Sequence, residues 1–246
     1  MILYLTNVTL ILVFSTLFTV SYTHFLSTTT ILCIGDSITQ GVGASSAEKS
    51  YPGRLSELLM FTQSNSSRKY HNYSVFNYGV KNTLLNRRSD ASYWKTEEYK
   101  SALSLHRTTA SIVIILLGAN DAKYAYSWNE TEFIVDYLDL IHSFRALESK
   151  PKIYLCIPTV ILPWYASTKV NSTLINVVYP QLIPEIARIS NSSYIDLFSA
   201  LGGNGSVVTK FCIQYFVRDG LHPNDKGYLR MAEVVRQSIL THDWHS

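Results

Sequence analysis

The stretch TILCIGDSITQG, residues 30–41, carries an apolar run directly into Gly35, Asp36 and Ser37 and then turns polar. Residues 31–34 do not alternate polar with apolar, as expected of a strand covered on both faces. Such strands build parallel sheets, whose ligands bind beyond the carboxyl ends of the strands. A glycine, a carboxylate and a hydroxyl delivered there form either an ordinary turn or a nucleophile held at a sheet edge.

Four further runs, 75–78, 112–117, 153–157 and 194–198, have the same character. Helical periodicity lies between them. Leu55, Leu58, Leu59 and Phe61 suit a helix opened by Tyr51-Pro52, and Phe133 to Leu147 marks an amphipathic helix after Asn129. Residues 174–189 are periodic but must break or kink at Pro180 and Pro184. A last helix is expected over 227–240, with Leu229, Ala232, Val235 and Ile239 on one face. Strands alternating with helices imply an α/β domain with a parallel sheet of five strands.

The chain has 246 residues, 47% hydrophobic and 16% charged, enough for one well-buried core. The formal charge is +3 and the basic residues are scattered, so no stripe suits nucleic acid. The first 35 residues hold no Asp, Glu, Lys or Arg, and LILVFSTLFTV at 10–20 has the length of a signal-peptide core. Ser21 and Thr23 could set cleavage before His24. The expected organisation is a signal peptide at 1–23 and a single domain at 24–246. A retained membrane anchor is the alternative, and no stable membrane association is expected unless the segment stays.

Of 13 Asn, 7 begin an Asn-x-Ser/Thr triplet. Ser and Thr content alone would give about 2 or 3. Beyond the leader these are Asn65, Asn72, Asn129, Asn171, Asn191 and Asn204, all between the apolar runs. A secreted or lumenal glycoprotein is expected. The cysteines are Cys33, Cys156 and Cys212, an odd count with no zinc or redox spacing, and Cys33 and Cys156 read as buried thiols.

The residues just beyond each strand are more specific. After the first comes Gly35-Asp36-Ser37, after the second Gly79, after the third Gly118-Ala119-Asn120-Asp121. Before the last helix comes Asp219-Gly220-Leu221-His222-Pro223-Asn224. Acyl transfer needs these residue types: a hydroxyl, an imidazole to activate it, a carboxylate to orient the imidazole, and amide donors for an oxyanion. Each segment alone could be a turn or a helix cap.

Together the segments resemble the SGNH, or GDSL, hydrolase superfamily. The matching blocks are GDSIT around Ser37, NYGV around Gly79, GAND around Asn120 and DGLHPN around Asp219 and His222. The resemblance implies a three-layer α/β/α sandwich with a five-stranded parallel sheet. It also implies Ser37 as nucleophile, His222 as general base and acid, and Asp219 as its orienting partner. The oxyanion hole would be the Ser37 and Gly79 amides with the Asn120 side chain. No GxSxG exists, which excludes an α/β-hydrolase elbow. One departure is visible: many relatives carry a second glycine soon after the block-two glycine, where this chain has Lys81-Asn82-Thr83.

Within the superfamily the chain resembles the secreted carbohydrate-esterase and sialate-O-acetylesterase-like branch, through ITQGVGA, YPGRLSELL, the SYW at 92–94 and PKIYLCIPT. That implies short-acyl esters of carbohydrates as substrates. Asp36, Trp94, Trp128 and Trp164 are expected at the substrate, with Tyr93 nearby. The first alternative is a lysophospholipase or thioesterase with an apolar groove from Ile161, Leu162 and Trp164. The second is an inactive carbohydrate-binding module. Serine chemistry requires no cofactor or metal, and a monomer is expected.

Overall fold

The computed structural model describes residues 28–64, 72–124, 128–162, 170–204 and 207–242. The strands are β1 (Thr28–Gly35), β2 (Asn72–Gly79), β3 (Ala110–Leu116), β4 (Lys152–Ile157) and β5 (Ser193–Asp196). They form one five-stranded sheet in the order β2-β1-β3-β4-β5, parallel throughout. Each expected run falls on one of these strands, with two ends corrected, the third strand stopping at Leu116, one residue short of its run. The fifth ends at Asp196, whose Oδ1 accepts from the Ser199 amide at 2.8 Å and caps the short helix α6 (Leu197–Ala200). A side chain that caps a helix stops the strand before it.

The helices are α1 (Ser37–Gln40), α2 (Tyr51–Ser64), α3 (Glu97–Leu105), α4 (Glu130–Arg145), α5 (Tyr179–Ile189) and α7 (Asp225–His242). A two-stranded antiparallel ribbon, β6 (Gly203–Asn204) with β7 (Val207–Val208), follows α6. Helices α2 and α7 pack on each other on one face of the sheet. On the other face α3 meets α4 through Tyr99 and Phe144, and α4 meets α5 through stacked Phe133 and Tyr179. This is an α/β/α sandwich. Helix α3, capped by the Thr96 hydroxyl on the Tyr99 amide, has no clear apolar stripe in the sequence, because Ala102 is its buried residue.

The central strands β1, β3 and β4 are almost wholly buried. β2 and β5 stand at the edges and are largely half-exposed, since neighbours cover them from one side only. Asn72, a sequon residue, is the first residue of β2, and Asn204 lies in β6, so these two are not loop positions. Asn191 sits in an exposed turn at φ +49°. Asn65 lies outside the described residues.

Of the two positions where a break or kink was expected, Pro180 follows a turn of π-helix, Leu174–Val178, that runs into α5, while Pro184 lies inside α5, which continues through it. Proline cannot donate the α-helical hydrogen bond, and the wider turn accommodates the loss. Within it Asn176 is buried and holds the chain after β4: its Oδ1 accepts from Ile161 N at 2.9 Å and its Nδ2 donates to Ile161 O at 2.8 Å. On α7 the buried face is Tyr228, Met231, Ala232, Val235 and Ile239, with Leu229 only half-buried. All three cysteines are free and buried.

Candidate active site

Strand order reverses at β1, between β2 on one side and β3 on the other. A sheet of this order leaves a crevice at that switch point, beyond the carboxyl ends of β1 and β3. Ser37 follows β1 and Asn120 follows β3, so the two flank the crevice.

Ser37 opens α1 and is 8% exposed. Its Oγ lies 2.9 Å from His222 Nε2, across 185 residues of chain. His222 Nδ1 lies 2.6 Å from Asp219 Oδ2. Asp219 Oδ1 accepts from the Leu221 and His222 amides, both at 2.9 Å. Partial burial raises the Asp219 carboxyl, but the His222 imidazole and these two amides outweigh it and hold the group below its ordinary value. An ionised Asp219 accepts the Nδ1 proton and leaves Nε2 free to accept from the serine hydroxyl.

Residues inside the motifs and outside them hold the histidine loop. Gly220, at φ +67°, turns it, and its carbonyl accepts from Leu162 N at 2.9 Å. Gly43, at φ +96°, lies against it, and a Cβ there would stand 2.5 Å from Pro223 O. The loop after α1 is tied to α7 by Ser45 on Asp225, at 2.7 and 2.6 Å, and by Tyr228 Oη donating to Val42 O at 2.7 Å. Asn224 caps α7 by accepting from Lys226 and Gly227 amides. The glycines and the DGLHPN asparagine were the visible signals. The Ser45–Asp225 pair, 180 residues apart, left none in the sequence.

Asn120 is 3% exposed, and its Nδ2 donates to Thr83 O at 2.9 Å. A carboxamide has two N–H groups, so one remains for a ligand. The Ser37 amide stands at the first position of α1, where a helix offers no internal acceptor. Gly79 is different. Its amide donates to Asn77 Oδ1 at 2.9 Å, and a Cβ on it would stand 2.1 Å from Gln40 N. Gly79 thus lets the end of β2 press against α1, and its N–H is engaged. The departure at Lys81-Asn82-Thr83 keeps a glycine-like backbone, because Asn82 takes φ +65°, which asparagine tolerates better than most side chains.

Asp36 does not face a substrate. It is 1% exposed, and its Oδ1 accepts from Ile38 N at 2.9 Å, capping α1 directly beneath Ser37. Burial first, and the nearby Asp121 carboxyl, push it up to about 7, against the Ile38 hydrogen bond and Lys123. Asp121 is pushed up by burial to about 6 while its oxygens accept from the Leu85 and Asn86 amides, each at 3.0 Å. Asn120 and Asp121 therefore grip the segment 83–86 from one side.

The aromatic expectations divide. Tyr93 is wholly buried and its hydroxyl donates to Tyr78 O at 2.7 Å. Trp94 donates to Leu85 O at 3.1 Å, and the Arg87 guanidinium covers its ring at 4.1 Å. Both pack beneath a loop, because a short 3-10 turn over Tyr93–Lys95 aims them inward. Trp128 packs on Phe133 and Tyr179 and lines a cavity. Trp164 lies outside the described residues. Ile161 and Leu162 are fully buried, so they form no open apolar groove.

A parallel α/β/α sandwich with a serine, a histidine and an aspartate in hydrogen-bonded series at its switch point is the architecture of a carboxylic-ester hydrolase. The chain belongs to the GDSL-like Lipase/Acylhydrolase family, whose profile matches residues 33–230. An acetylxylan esterase from Xylanibacter ruminicola is 29% identical over 230 residues, covering 85% of this chain and 42% of that protein. The chain thus spans less than half the length of that relative. A lipase/acylhydrolase from Enterococcus faecalis has the same fold, with a TM-score of 0.66 at 19% identity over 87% of this chain and 96% of that one. So does a two-domain esterase active on acetylated mannans, with a TM-score of 0.59 at 20% identity over 87% of this chain and 49% of that one.

Proposed function

We propose that this chain is a serine esterase that removes short acyl groups, chiefly acetyl, from carbohydrates through an acyl-enzyme on Ser37. The observation that carries the reading is the series Ser37 Oγ to His222 Nε2 at 2.9 Å and His222 Nδ1 to Asp219 at 2.6 Å. His222 takes the hydroxyl proton as Ser37 attacks the ester carbonyl, and the imidazolium is stabilised by Asp219. The negative charge developing on the carbonyl oxygen is met by the Ser37 amide and the free Asn120 N–H. On collapse His222 gives its proton to the departing sugar hydroxyl. Water, activated by the same nitrogen, then releases the acid.

The acetyl and carbohydrate parts are supported by the acetylxylan esterase relative and by the acetyl-mannan-active esterase of like fold. Burial of Ile161 and Leu162 counts against the lysophospholipase or thioesterase reading. The test is a series of p-nitrophenyl esters run beside acetylated sugars. A steep fall in kcat/KM beyond about four carbons is expected, because a fitted apolar groove would instead gain about 0.8 kcal/mol per buried methylene. Octanoyl esters cleaved faster than acetyl esters would replace the carbohydrate reading with the long-chain one. Secretion and N-glycosylation are part of the same reading, supported by the uncharged N-terminal run and the sequons.

A further inference from the structure

A cavity of 310 Å³ opens among Leu84, Asn86, Arg88 and Ser89 on one side and Asp121, Trp128, Asn129, Glu132, Phe133 and Asp136 on the other. Several contacts join its two sides, among them the Leu85 and Asn86 amides on Asp121 and Arg87 N on Asp136. Asn120 Nδ2 donates to Thr83 O, and the cavity begins one residue further along each of those two segments, at Asp121 and Leu84. The lining thus comes within one residue of the Asn120–Thr83 contact along each segment.

The lining is chemically mixed. Trp128 and Phe133 give an apolar wall, with the indole N–H turned inward toward Tyr179. Asn86 and Ser89 add neutral polar groups, while Asn129 Oδ1 accepts from the Glu132 amide at 3.0 Å. The ionisable residues are Asp121, Glu132 and Asp136 against Arg88, and Arg88 pairs with Glu132 at 2.7 Å. Asp136 Oδ2 accepts from Arg87 N at 3.0 Å. Burial pushes the Asp136 carboxyl up, as neighbouring Asp139 and Glu132 also do, against the Arg87 amide and charge. Among the described residues no set of these groups is arranged to hold a metal ion.

We propose that this cavity is the recognition subsite for the sugar portion of the substrate, and that it selects neutral glycans over those bearing a carboxylate. The inference rests on the carbohydrate-esterase reading and adds the class of sugar. An aromatic wall suits the apolar face of a pyranose ring, while carboxylate and amide oxygens accept its hydroxyl protons. The carboxylates of Asp121, Glu132 and Asp136 repel a uronate or a sialate, and among the described residues no arginine other than Arg88 lines the cavity to receive one.

The test compares three acetyl donors at equal acetyl concentration: p-nitrophenyl acetate, an O-acetylated neutral oligosaccharide and an O-acetylated uronic-acid oligosaccharide. The wild type should favour the neutral oligosaccharide over the uronic one by about tenfold or more in kcat/KM. Glu132→Gln should raise KM for the neutral oligosaccharide about three- to tenfold with kcat within about twofold, as expected for uniform binding lost. The ratio of its kcat/KM to that for p-nitrophenyl acetate should fall by the same factor. Glu132→Lys should narrow the gap between the two oligosaccharides. Arg88→Ala, at a side chain 80% exposed, gives a second reading that does not depend on a buried contact. An unchanged ratio in both Glu132→Gln and Arg88→Ala, or a wild type that prefers the uronic donor, overturns the subsite. A wild type with no turnover of p-nitrophenyl acetate would overturn the esterase reading itself, which is a separate outcome.

Discussion

Asp219 grips His222 twice: Oδ2 lies 2.6 Å from the imidazole Nδ1, and Oδ1 accepts the His222 backbone amide at 2.9 Å. The carboxylate therefore shapes the loop and sets the tautomer together. Asp219→Asn should lower kcat by about 10³ to 10⁴-fold, since an amide can present N–H toward Nδ1 and favour the wrong tautomer. The fold should survive, because the loop lies at the surface. Circular dichroism beside steady-state kinetics checks both statements. A loss of less than tenfold would remove Asp219 from the relay.

Ser37→Ala should abolish turnover while leaving thermal stability nearly unchanged, because it deletes one hydroxyl at the edge of the sheet. An organophosphonate should label the wild type once, at Ser37, as read by peptide mass. Labelling at any other serine would refute the assignment of the nucleophile.

The two amide positions can be separated. Asn120→Ala should cost about 10²-fold or more in kcat with a smaller change in KM. Asn77→Ala releases the Gly79 amide from Oδ1. Its kcat should stay within about twofold of wild type if Gly79 contributes space and not a donor. A clear rise in kcat would return Gly79 to the oxyanion hole. Gly79→Ala should destabilise the protein by about 1–3 kcal/mol or more, because the new methyl collides with the Gln40 backbone.

The buried carboxyl under the nucleophile predicts a pH effect on stability. Asp36 titrates at about 7 in the folded protein, against an ordinary value of 3.8. A raised acid binds its proton more tightly when folded, so its contribution is fully present below about 4 and is lost as pH rises toward about 7. Asp36→Asn keeps an oxygen for the Ile38 amide and removes the titration. Relative to wild type, its urea midpoint should therefore improve between pH 4.5 and pH 7.5. A constant difference across that range would show that Asp36 is not titrating there.

The three cysteines should be silent in the native state. Burial pushes the Cys33 thiol up to about 12 and raises Cys156 and Cys212 as well. A thiol-reactive disulfide reagent should react with none in the native protein and with all three in guanidinium. Rapid reaction of one thiol under native conditions would contradict the packing around it.

Five strands, their order along the chain and the residues just beyond them were determined by the sequence alone. The apolar runs are local and uninterrupted, and Gly35, Gly79 and Gly118 mark where the first three turn into loops. Ser37, Asp219 and His222, which the structure places in hydrogen-bonded series, could be picked out because each sits in a short motif. Tertiary structure decided where the remaining side chains point. Asp36 looked like a substrate residue and is a buried cap, because α1 begins one residue after the strand and needs an acceptor there. Trp94 lost its exposed face to Arg87, and Gly79 gave its amide to Asn77. The cavity is framed by contacts between segments more than 30 residues apart, Asn120 on Thr83 and Asp121 on Leu85 and Asn86. Such contacts depend on how separately specified segments meet, and packing between distant segments leaves no local pattern in the chain.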